Sequence, residues 1–326
     1  MILWKSILET GILINMKKKI AFYCCTNGLG HFKRVNEIAK YLTDLFKITI
    51  YCNQVQAEKI GKLDTVEYIF YSQDNIKWNL VTQGHGKKAI DTYFNWLQQY
   101  GPTVKQYDIV VSDNLVGLCD YGNVLLMGSF FWKDVFNSYI GENLLSKVDE
   151  RILSEKQPVI CTNKYVETQS IKEYPFKFQS GFGCEQQLKV ASETKHTIIQ
   201  YPSLPYLEKY NTYLDKLFSI QELGCTKNLS YIYDTRIIAR PGVGTITHCV
   251  EYRIPLIALY SNKDSAEIIE LAHIVEELKI GYKQNIEESL DMTKIKMLRS
   301  NTNFCYVDPP FELNGYSKIA NYIKKL

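Results

Sequence analysis

The sequence has little net charge, no long apolar segment and no repeat. Lys and Arg total 38 against 35 Asp and Glu, a formal net charge of +3 over 326 residues. This balance gives no electrostatic reason to expect nucleic acid as the main partner, although a local basic patch is compatible with it. No stretch approaches the roughly 20 apolar residues that cross a bilayer, which argues against an integral membrane protein. The absence of a repeating period argues against a repeat protein.

Paired-cysteine motifs are also missing. The nine cysteines include the neighbours Cys24 and Cys25 but no Cys-x-x-Cys pair, and others lie in apolar runs. This pattern favours reduced, buried thiols over a disulfide framework or a zinc site. It therefore predicts a cytoplasmic protein without a structural metal.

The N-terminus lacks the layout of a secretory signal. In residues 1–15 the apolar residues are interrupted by Lys5 and Glu9 and precede the lysines, whereas a secretory signal has its positive charge before its apolar core. We interpret residues 1–15 as an N-terminal extension, with Met16 as an alternative start. The lysines after Met16 and at the C-terminus are candidates for peripheral contact with anionic lipid, although such short runs are usually solvated.

What the sequence does contain is an alternation of short apolar runs and helical patterns. Runs such as "KIAFYCC" and "YDIVVSD" predict buried strands, and "HFKRVNEIAKYLTDL" predicts a helix, which is typical of parallel βαβ units. The alternation restarts near residue 150, and the chain is long for one core. We predict an α/β protein with two Rossmann-like domains facing each other across a cleft. The domains are expected at 16–150 and 151–312, with a last helix at 313–326 packing back on the first domain.

A glycine turn, "TNGLGHFKR", follows the first predicted strand and precedes the first predicted helix. Open α/β sheets bind ligands at this position, beside the carboxyl ends of their strands. Gly28 and Gly30 let a ligand approach the backbone, the helix N-terminus favours an anion, and His31 can take a proton near neutral pH. The alternative is a simple tight turn with His31 as a surface cap. Lys33 leaves the Gly-x-Gly-x-x-Gly pattern of dinucleotide dehydrogenases incomplete.

A second glycine turn, "ARPGVGTITH", occupies residues 239–248. Gly242 and Gly244 open this turn, Thr245 lies at the start of the next predicted helix, and Arg240 adds a fixed cation. Two such turns, one in each predicted domain, favour a cleft for a phosphate-bearing ligand.

These segments resemble the GT-B glycosyltransferases of families 1 and 28. "GLGHFKR" is similar to the family's Gly-x-Gly-His-x-x-Arg turn, "YDIVVSD" to a strand ending in Ser-Asp, and "RPGVGT" to the donor-site turn. "AEIIELAHIVEELKIG" is similar to the block that follows, and "NGYSKIANYI" to the terminal helix. The blocks occur in the family's order and cover nearly the whole chain from Met16.

The resemblance implies an inverting transfer of a sugar from a nucleotide diphosphate donor, held by the second domain, to an acceptor held by the first. It implies that His31 is the general base and that Asp113 orients it. Donor and phosphate binding are expected at the two turns and the block that follows: Gly28, Gly30, Arg240, Gly242, Val243, Gly244, Thr245, His248 and Glu267. The implied partners are a nucleotide sugar, UDP-linked in our prediction, and an acceptor that the sequence does not identify. No metal or other cofactor is implied.

Several positions depart from the family pattern. Where the family has a glutamate for the ribose hydroxyls, this sequence has His248, with Glu251 one helical turn further on as a substitute. Glu267 matches the acidic position of the next block, but Ile268 and Leu271 replace a Gln and an Asn that meet the donor sugar. These changes are compatible with an altered donor sugar or with lost activity.

Two alternatives to a transferase stay open. UDP-sugar hydrolases of pseudaminic acid synthesis share the Gly-x-Gly-His-x-x-Arg turn and use its histidine to activate water. A non-catalytic nucleotide-sugar-binding protein is suggested by His248, Ile268 and Leu271.

Other motifs have two interpretations each. We expect His85 in a solvated loop rather than in the acceptor cleft, and we assign His196 and His273 to structure. The aromatic segment 128–136, "GSFFWKDVF", forms either core and cleft wall or an acceptor platform, and we favour the first.

Overall fold

The computed structural model describes most of the chain. The described residues are 17–184, 197–200, 219–222, 235–252, 254–288, 291, 293 and 311–326. The predicted extension at 1–15 and His196 lie outside them. Within this part of the chain, no helix is both long and apolar enough to cross a membrane.

Seven parallel strands form the sheet of the first domain. In chain order they are β1 (Lys18–Tyr23), β2 (Phe46–Cys52), β3 (Glu67–Phe70), β4 (Ile109–Asp113), β5 (Val124–Met127), β6 (Ile160–Asn163) and β7 (Lys177–Ser180). Across the sheet the order is β3-β2-β1-β4-β5-β6-β7. The central strands β1 and β4 are largely buried because helices cover both faces, which explains their near-continuous apolar sequences.

Seven helices pack around this sheet. They are α1 (Leu29–Lys40), α2 (Gln54–Ile60), α3 (Trp78–Thr82), α4 (Gly86–Tyr100), α5 (Trp132–Ile140), α6 (Leu144–Lys156) and α7 (Gln169–Glu173). On one face Trp96 of α4 and Phe136 of α5 are fully buried in the core. On the other face α1 packs Phe32 and Ile38 into a second core, which also contains Phe22 of β1.

The first sheet extends past the boundary that we predicted at residue 150. That position lies inside α6, and the two strands after it join the first sheet, since Leu126 of β5 pairs with Ile160 of β6. The restart of the strand and helix alternation near residue 150 therefore marks another unit of the same sheet. Such a pattern predicts strands without stating which sheet each one joins.

In the described residues, the second domain has a five-stranded parallel sheet. Its strands are β8 (Thr197–Gln200), β9 (Ser219–Glu222), β10 (Thr235–Ala239), β11 (Leu256–Tyr260) and β12 (Gly281–Asn285), in the order β12-β11-β10-β8-β9. Helices α8 (Val243–Tyr252) and α9 (Ala266–Glu277) follow β10 and β11, and their apolar faces form a core with Ile237 and Leu256. The predicted α/β class with two parallel, Rossmann-like sheets is confirmed.

Two segments that lie side by side connect the domains. Residues 181–184 leave the first domain after β7, and residues 311–314 return to it. The Phe182 N–H donates to the Glu312 carbonyl oxygen at 2.8 Å, and the Gly315 N–H donates to the Phe182 carbonyl oxygen at 2.8 Å. Gly181 has no room for a side chain, because a Cβ there would lie 2.1 Å from the Glu312 carbonyl oxygen.

The last helix, α10 (Gly315–Ile323), lies against the first domain. Ile319, Ala320 and Ile323 are buried in the core that α1 shares with the sheet. This helix therefore completes the apolar core of the first domain although the second domain separates the two in sequence.

Candidate active site

A cleft of about 880 Å³ lies between the two domains. Residues of the first turn and of the second turn face each other across it, as expected where two sheets present the carboxyl ends of their strands. The predicted site residues that line it are Gly30, His31, Arg240, Gly242, Val243, Gly244, Thr245, His248 and Glu267. Two predicted residues are not part of the lining: Gly28 is exposed on the first turn, and Asp113 is buried beneath it.

Gly28 shapes the first turn. Its φ of 93° lies in the left-handed region that favours glycine, and it precedes the first residue of α1. The side chain of Gln56, buried in α2, donates to the Gly28 carbonyl oxygen at 2.6 Å and to the Cys25 carbonyl oxygen at 2.9 Å. The side-chain amide of Gln56, which the sequence pattern did not single out, therefore holds the turn that carries His31.

Asn75 holds the same turn from another side. Its amide oxygen accepts the Thr26 N–H at 2.9 Å, and its amide nitrogen donates to the Cys24 carbonyl oxygen at 2.9 Å. Asn75 is fully buried. No local signal marks Gln56 or Asn75 as site residues, because both reach the turn only through tertiary packing.

His31 and Asp113 form a hydrogen-bonded pair. Asp113 ends β4, which lies next to β1, so its side chain comes up beneath the helix that begins after β1. The His31 Nδ1 lies 2.9 Å from Asp113 Oδ2, with the histidine side chain 14% exposed and the aspartate side chain 0% exposed. Nδ1 donates its proton to the ionised carboxylate, which leaves the Nε2 lone pair able to accept a proton.

Arg34 binds the other oxygen of the same carboxylate. It lies one turn after His31 on α1, and its Nη2 donates to Asp113 Oδ1. Burial alone would raise the pKa of Asp113, but the charges of Arg34 and His31 outweigh burial and lower that pKa below its usual value. The final Arg of the Gly-x-Gly-His-x-x-Arg pattern therefore keeps the partner of His31 ionised, which our residue assignments had missed.

Arg240 stands beside the second turn. Its Nη2 lies 3.0 Å from Asp264 Oδ1, and the arginine side chain is 34% exposed. Asp264 is itself held by the Ser261 N–H, which donates to its Oδ2 at 2.8 Å. The Arg240 Nε–H has no acceptor among the described residues, so a fixed guanidinium with spare donors borders the cleft.

The glycines of the second turn leave open space. Apart from the neighbouring backbone, no heavy atom of the described residues lies within 4 Å of the position that a Cβ would take at Gly242 or Gly244. Helix α8 begins at Val243, and the first N–H groups of a helix have no partner inside it. These N–H groups and the positive end of the helix dipole suit an anion at the second turn.

Glu267 lies in the first turn of α9 and lines the cleft. Burial raises the pKa of this carboxyl to about 7, against the opposing charges of His31, Arg240 and Arg34. Of the two apolar replacements in this block, Leu271 is fully buried in the core of the second domain. Ile268 is 6% exposed and borders the cleft.

His248 and Glu251 both line the cleft, one turn apart on α8. His248 stands where the family pattern has an acidic residue. Glu251, the glutamate that could replace that residue, therefore lines the same cleft. His85 and His273 are not part of the cleft lining. His85 precedes α4, and His273 is exposed on α9 with its Nδ1 2.7 Å from Lys283 Nζ.

The aromatic segment forms the wall of the cleft on the side of the first domain. Phe130 and Trp132 are 5% and 3% exposed, yet both border the cleft. Trp78 of α3 also lines it, with its ring edge-on to Tyr139 at 4.8 Å between centroids. Among the residues with described positions, no group of three or more His, Cys, Asp or Glu side chains could hold a metal ion.

Comparisons with known proteins give matches at the level of structure. No protein-family model matches the chain, and no curated protein sequence matches it. The glycosyltransferase of kitacinnamycin is similar with a TM-score of 0.59 and 9% identity, covering 95% of this chain and 99% of that one. CalG4, the calicheamicin glycosyltransferase, is similar with a TM-score of 0.58 and 11% identity, covering 95% and 98%.

A plant structure gives the same result. Arabidopsis thaliana UGT89C1, solved with UDP-L-rhamnose, is similar with a TM-score of 0.56 and 10% identity, covering 95% of this chain and 94% of that one. At these identities the likeness concerns the fold. It extends over nearly the whole length of every chain compared, and the protein therefore has the GT-B fold of these glycosyltransferases, with two Rossmann-like domains facing each other across a cleft.

Proposed function

We propose that the protein is an inverting, metal-independent glycosyltransferase that transfers a sugar from a UDP-linked donor to a hydroxyl group of an acceptor. The observation that carries this proposal is the hydrogen-bonded pair of His31 and Asp113, since His31 lines the same cleft as the second glycine turn. The fold supports it, and one protein of similar fold was solved with a UDP-sugar.

In this mechanism His31 is the general base. Its Nε2 takes the proton of the acceptor hydroxyl while the acceptor oxygen bonds to the anomeric carbon of the donor sugar. The bond between that carbon and the phosphate oxygen breaks, and UDP leaves with the electron pair. The ionised Asp113 stabilises the imidazolium that forms, and Arg34 keeps Asp113 ionised. His31 later returns its proton to solvent.

The second domain binds the donor in this proposal. The diphosphate lies at the start of α8, against the backbone of Gly242, Val243, Gly244 and Thr245. Arg240 and the helix N-terminus together balance the charge of the leaving UDP without a metal ion. His248 or Glu251 contacts the nucleoside, and Glu267 contacts the donor sugar. Gly28 and Gly30 keep the first turn close to the same phosphates.

We also assign the protein to the cytoplasm. All seven cysteines of the described residues are free, and six of them are buried, as expected for thiols in a reducing compartment. Peripheral contact with anionic lipid through the terminal lysines stays a prediction.

The test combines ligand-induced stabilisation with turnover. Wild-type protein, His31→Ala and Arg240→Ala are screened against UDP and a panel of UDP-sugars, because a ligand that binds the folded state raises its thermal midpoint. We expect Arg240→Ala to lose the stabilisation. His31→Ala should keep it while losing transfer to a mixed set of hydroxyl acceptors.

Two outcomes would replace the proposal. Release of free sugar at catalytic rates without any acceptor indicates a hydrolase, in which His31 activates water instead of an acceptor hydroxyl. Tight binding of UDP-sugar with no turnover, unchanged by His31→Ala, indicates a binding protein. Absence of any nucleotide-dependent stabilisation contradicts all three functions.

A further inference from the structure

The cleft continues as one cavity along helix α1 of the first domain. Beyond His31 its lining follows Lys33, Glu37 and Lys40, which share one side of the helix because they are spaced four and three residues apart. Lys33 and Lys40 are two turns apart, about 10 Å at 1.5 Å per residue. We call this part of the cavity the α1 groove.

The facing side of the α1 groove is the turn that ends α2. Its lining residues include the cations Lys59 and Lys62 and the apolar residues Ile60 and Leu63. Both lysines are exposed, and no carboxylate among the described residues lies within ion-pair distance of either one. The ammonium group of Lys62 lies 5.7 Å from the ring centre of Phe70.

A buried polar relay fixes this turn against α1. The Leu63 N–H donates to the Tyr68 hydroxyl at 2.8 Å, and that hydroxyl donates to Asn36 Oδ1 at 2.8 Å. The Asn36 amide in turn donates to the Gly61 carbonyl oxygen at 3.4 Å. Asn36 belongs to α1 and is 4% exposed, so the turn that carries Lys59 and Lys62 is held against the helix.

Among the described residues, the α1 groove carries an excess of positive charge, which rests on Lys59 and Lys62. Lys33 and Lys40 also line it, and Lys40 pairs with Glu37. Glu251 borders the cavity where the groove meets the cleft. The floor on the side of α10 is formed by Tyr316 and Ile319. The surface thus combines cations with apolar side chains over the length of two helical turns.

We infer that the α1 groove binds a phosphate-bearing extension of the acceptor. Ammonium groups from two elements can contact phosphate oxygens, and the apolar floor suits the carbon chain that joins a phosphate to a reacting hydroxyl. The identification of the ligand as part of an acceptor rests on the proposed function. The phosphate site itself stands or falls independently of sugar transfer.

The experiment compares two double variants of the full-length protein. The groove variant combines Lys59→Gln and Lys62→Gln and so removes both cations of the turn. Lys105→Gln with Lys156→Gln is the matched control, since both of these lysines are exposed and neither lines the cavity. Thermal midpoints of all variants confirm that they fold.

Two probes distinguish the sources of phosphate. Tripolyphosphate, measured by calorimetry at low salt, represents a soluble phosphorylated acceptor, and vesicles of phosphatidylglycerol in phosphatidylcholine represent a lipid-linked one. We expect wild type to bind at least one probe, and the groove variant to bind it about tenfold or more weakly, because two ammonium groups that attract the anionic probe are removed. The control pair should bind as wild type does.

The variant Arg240→Ala separates this groove from the donor site. Tripolyphosphate binding that survives Arg240→Ala and is lost in the groove variant belongs to the groove. Failure of wild type to bind either probe overturns the inference, as does equal binding by the two double variants. If the groove variant has a lower thermal midpoint but binds the probes as wild type does, the two lysines only stabilise the C-terminus of α2, and the inference is wrong. Probe binding without any UDP-dependent stabilisation would refute the proposed function and leave the groove standing.

Discussion

At the scale of single residues, two carboxyl groups, one lining the cleft and one buried beneath it, have pKa values displaced in opposite directions. Arg34 and His31 hold the pKa of Asp113 below its usual value despite its burial. Glu267, from the other domain, has its pKa raised by burial to about 7. Because different environments give carboxyl groups different roles, Asp113 is suited to stay ionised beside His31, and Glu267 can hold or release a proton at neutral pH.

The substitution Asp113→Asn tests the pair directly. Asparagine has a similar shape but no charge, so it neither fixes the His31 tautomer nor stabilises the imidazolium. We expect the transfer rate to fall about a thousandfold, while UDP raises the thermal midpoint as in wild type, because the proposed donor site lies in the other domain. Initial rates and thermal shifts measure the two effects. Asp91→Asn, at an exposed position on α4, is the control, and an unchanged rate in Asp113→Asn would exclude this role.

Glu267 gives a prediction about the pH dependence of stability. The unfolded chain releases this proton near pH 4.3, whereas the folded protein holds it up to about pH 7. The stabilisation from the protonated group is therefore complete below about pH 4 and is lost as the pH rises through 7. Relative to wild type, Glu267→Gln should gain a few degrees in thermal midpoint between pH 5 and pH 8.

The matched control for this measurement is Glu277→Gln, an exposed residue at the end of the same helix. Its difference from wild type should stay constant over the same pH range. A constant difference for Glu267→Gln as well would mean that Glu267 is ionised throughout this range.

At the scale of elements, glycines at two places serve opposite purposes. A Cβ at Gly244, in the first turn of α8, would meet no side chain within 4 Å in the described part of the chain, whereas a Cβ at Gly181 would meet the Glu312 backbone. Gly244→Ala should leave the thermal midpoint unchanged or slightly raised, and weaken UDP binding about tenfold because the methyl group enters the cleft. Gly181→Ala should lower the stability by about 2 kcal/mol.

Calorimetric unfolding and titration with UDP measure both effects on the two proteins. Normal UDP affinity in Gly244→Ala would mean that the phosphates bind elsewhere. An unchanged midpoint in Gly181→Ala would show that the connection between the domains can shift to admit a methyl group.

The elements that the sequence predicted best are those whose pattern is local. β1, β4 and α1 appear where their apolar runs and helical spacing indicated, and the two glycine turns lie at strand ends. The extent of the first sheet could not be predicted, since strand pairing depends on contacts distant in sequence. For the same reason Gln56 and Asn75 escaped notice, although they fix the turn of His31.

At the scale of the whole molecule, the first domain depends on a helix from the far end of the chain. Ile323 of α10 is fully buried with residues of α1 and β1. Ile323→Ala should therefore destabilise the protein by about 2–4 kcal/mol. Asn321→Ala, at an exposed position on the same helix, should have little effect.

Denaturant unfolding followed by the fluorescence of the tryptophans reports on this change, because all four tryptophans of the sequence precede residue 133. Equal midpoints for wild type and Ile323→Ala would mean that the first domain is stable without this contact.

The adjacent connections at 181–184 and 311–314 make the second domain a topological insertion. The backbone exits and re-enters at almost the same point, where Phe182 and Glu312 are hydrogen-bonded at 2.8 Å. A short linker from residue 183 to residue 312 would consequently bypass the inserted half. The shortened protein would keep the complete seven-stranded sheet, both apolar cores of the first domain and helix α10. It would contain His31 and Asp113 without the second domain, and binding measurements on it would show whether the first domain alone binds an acceptor.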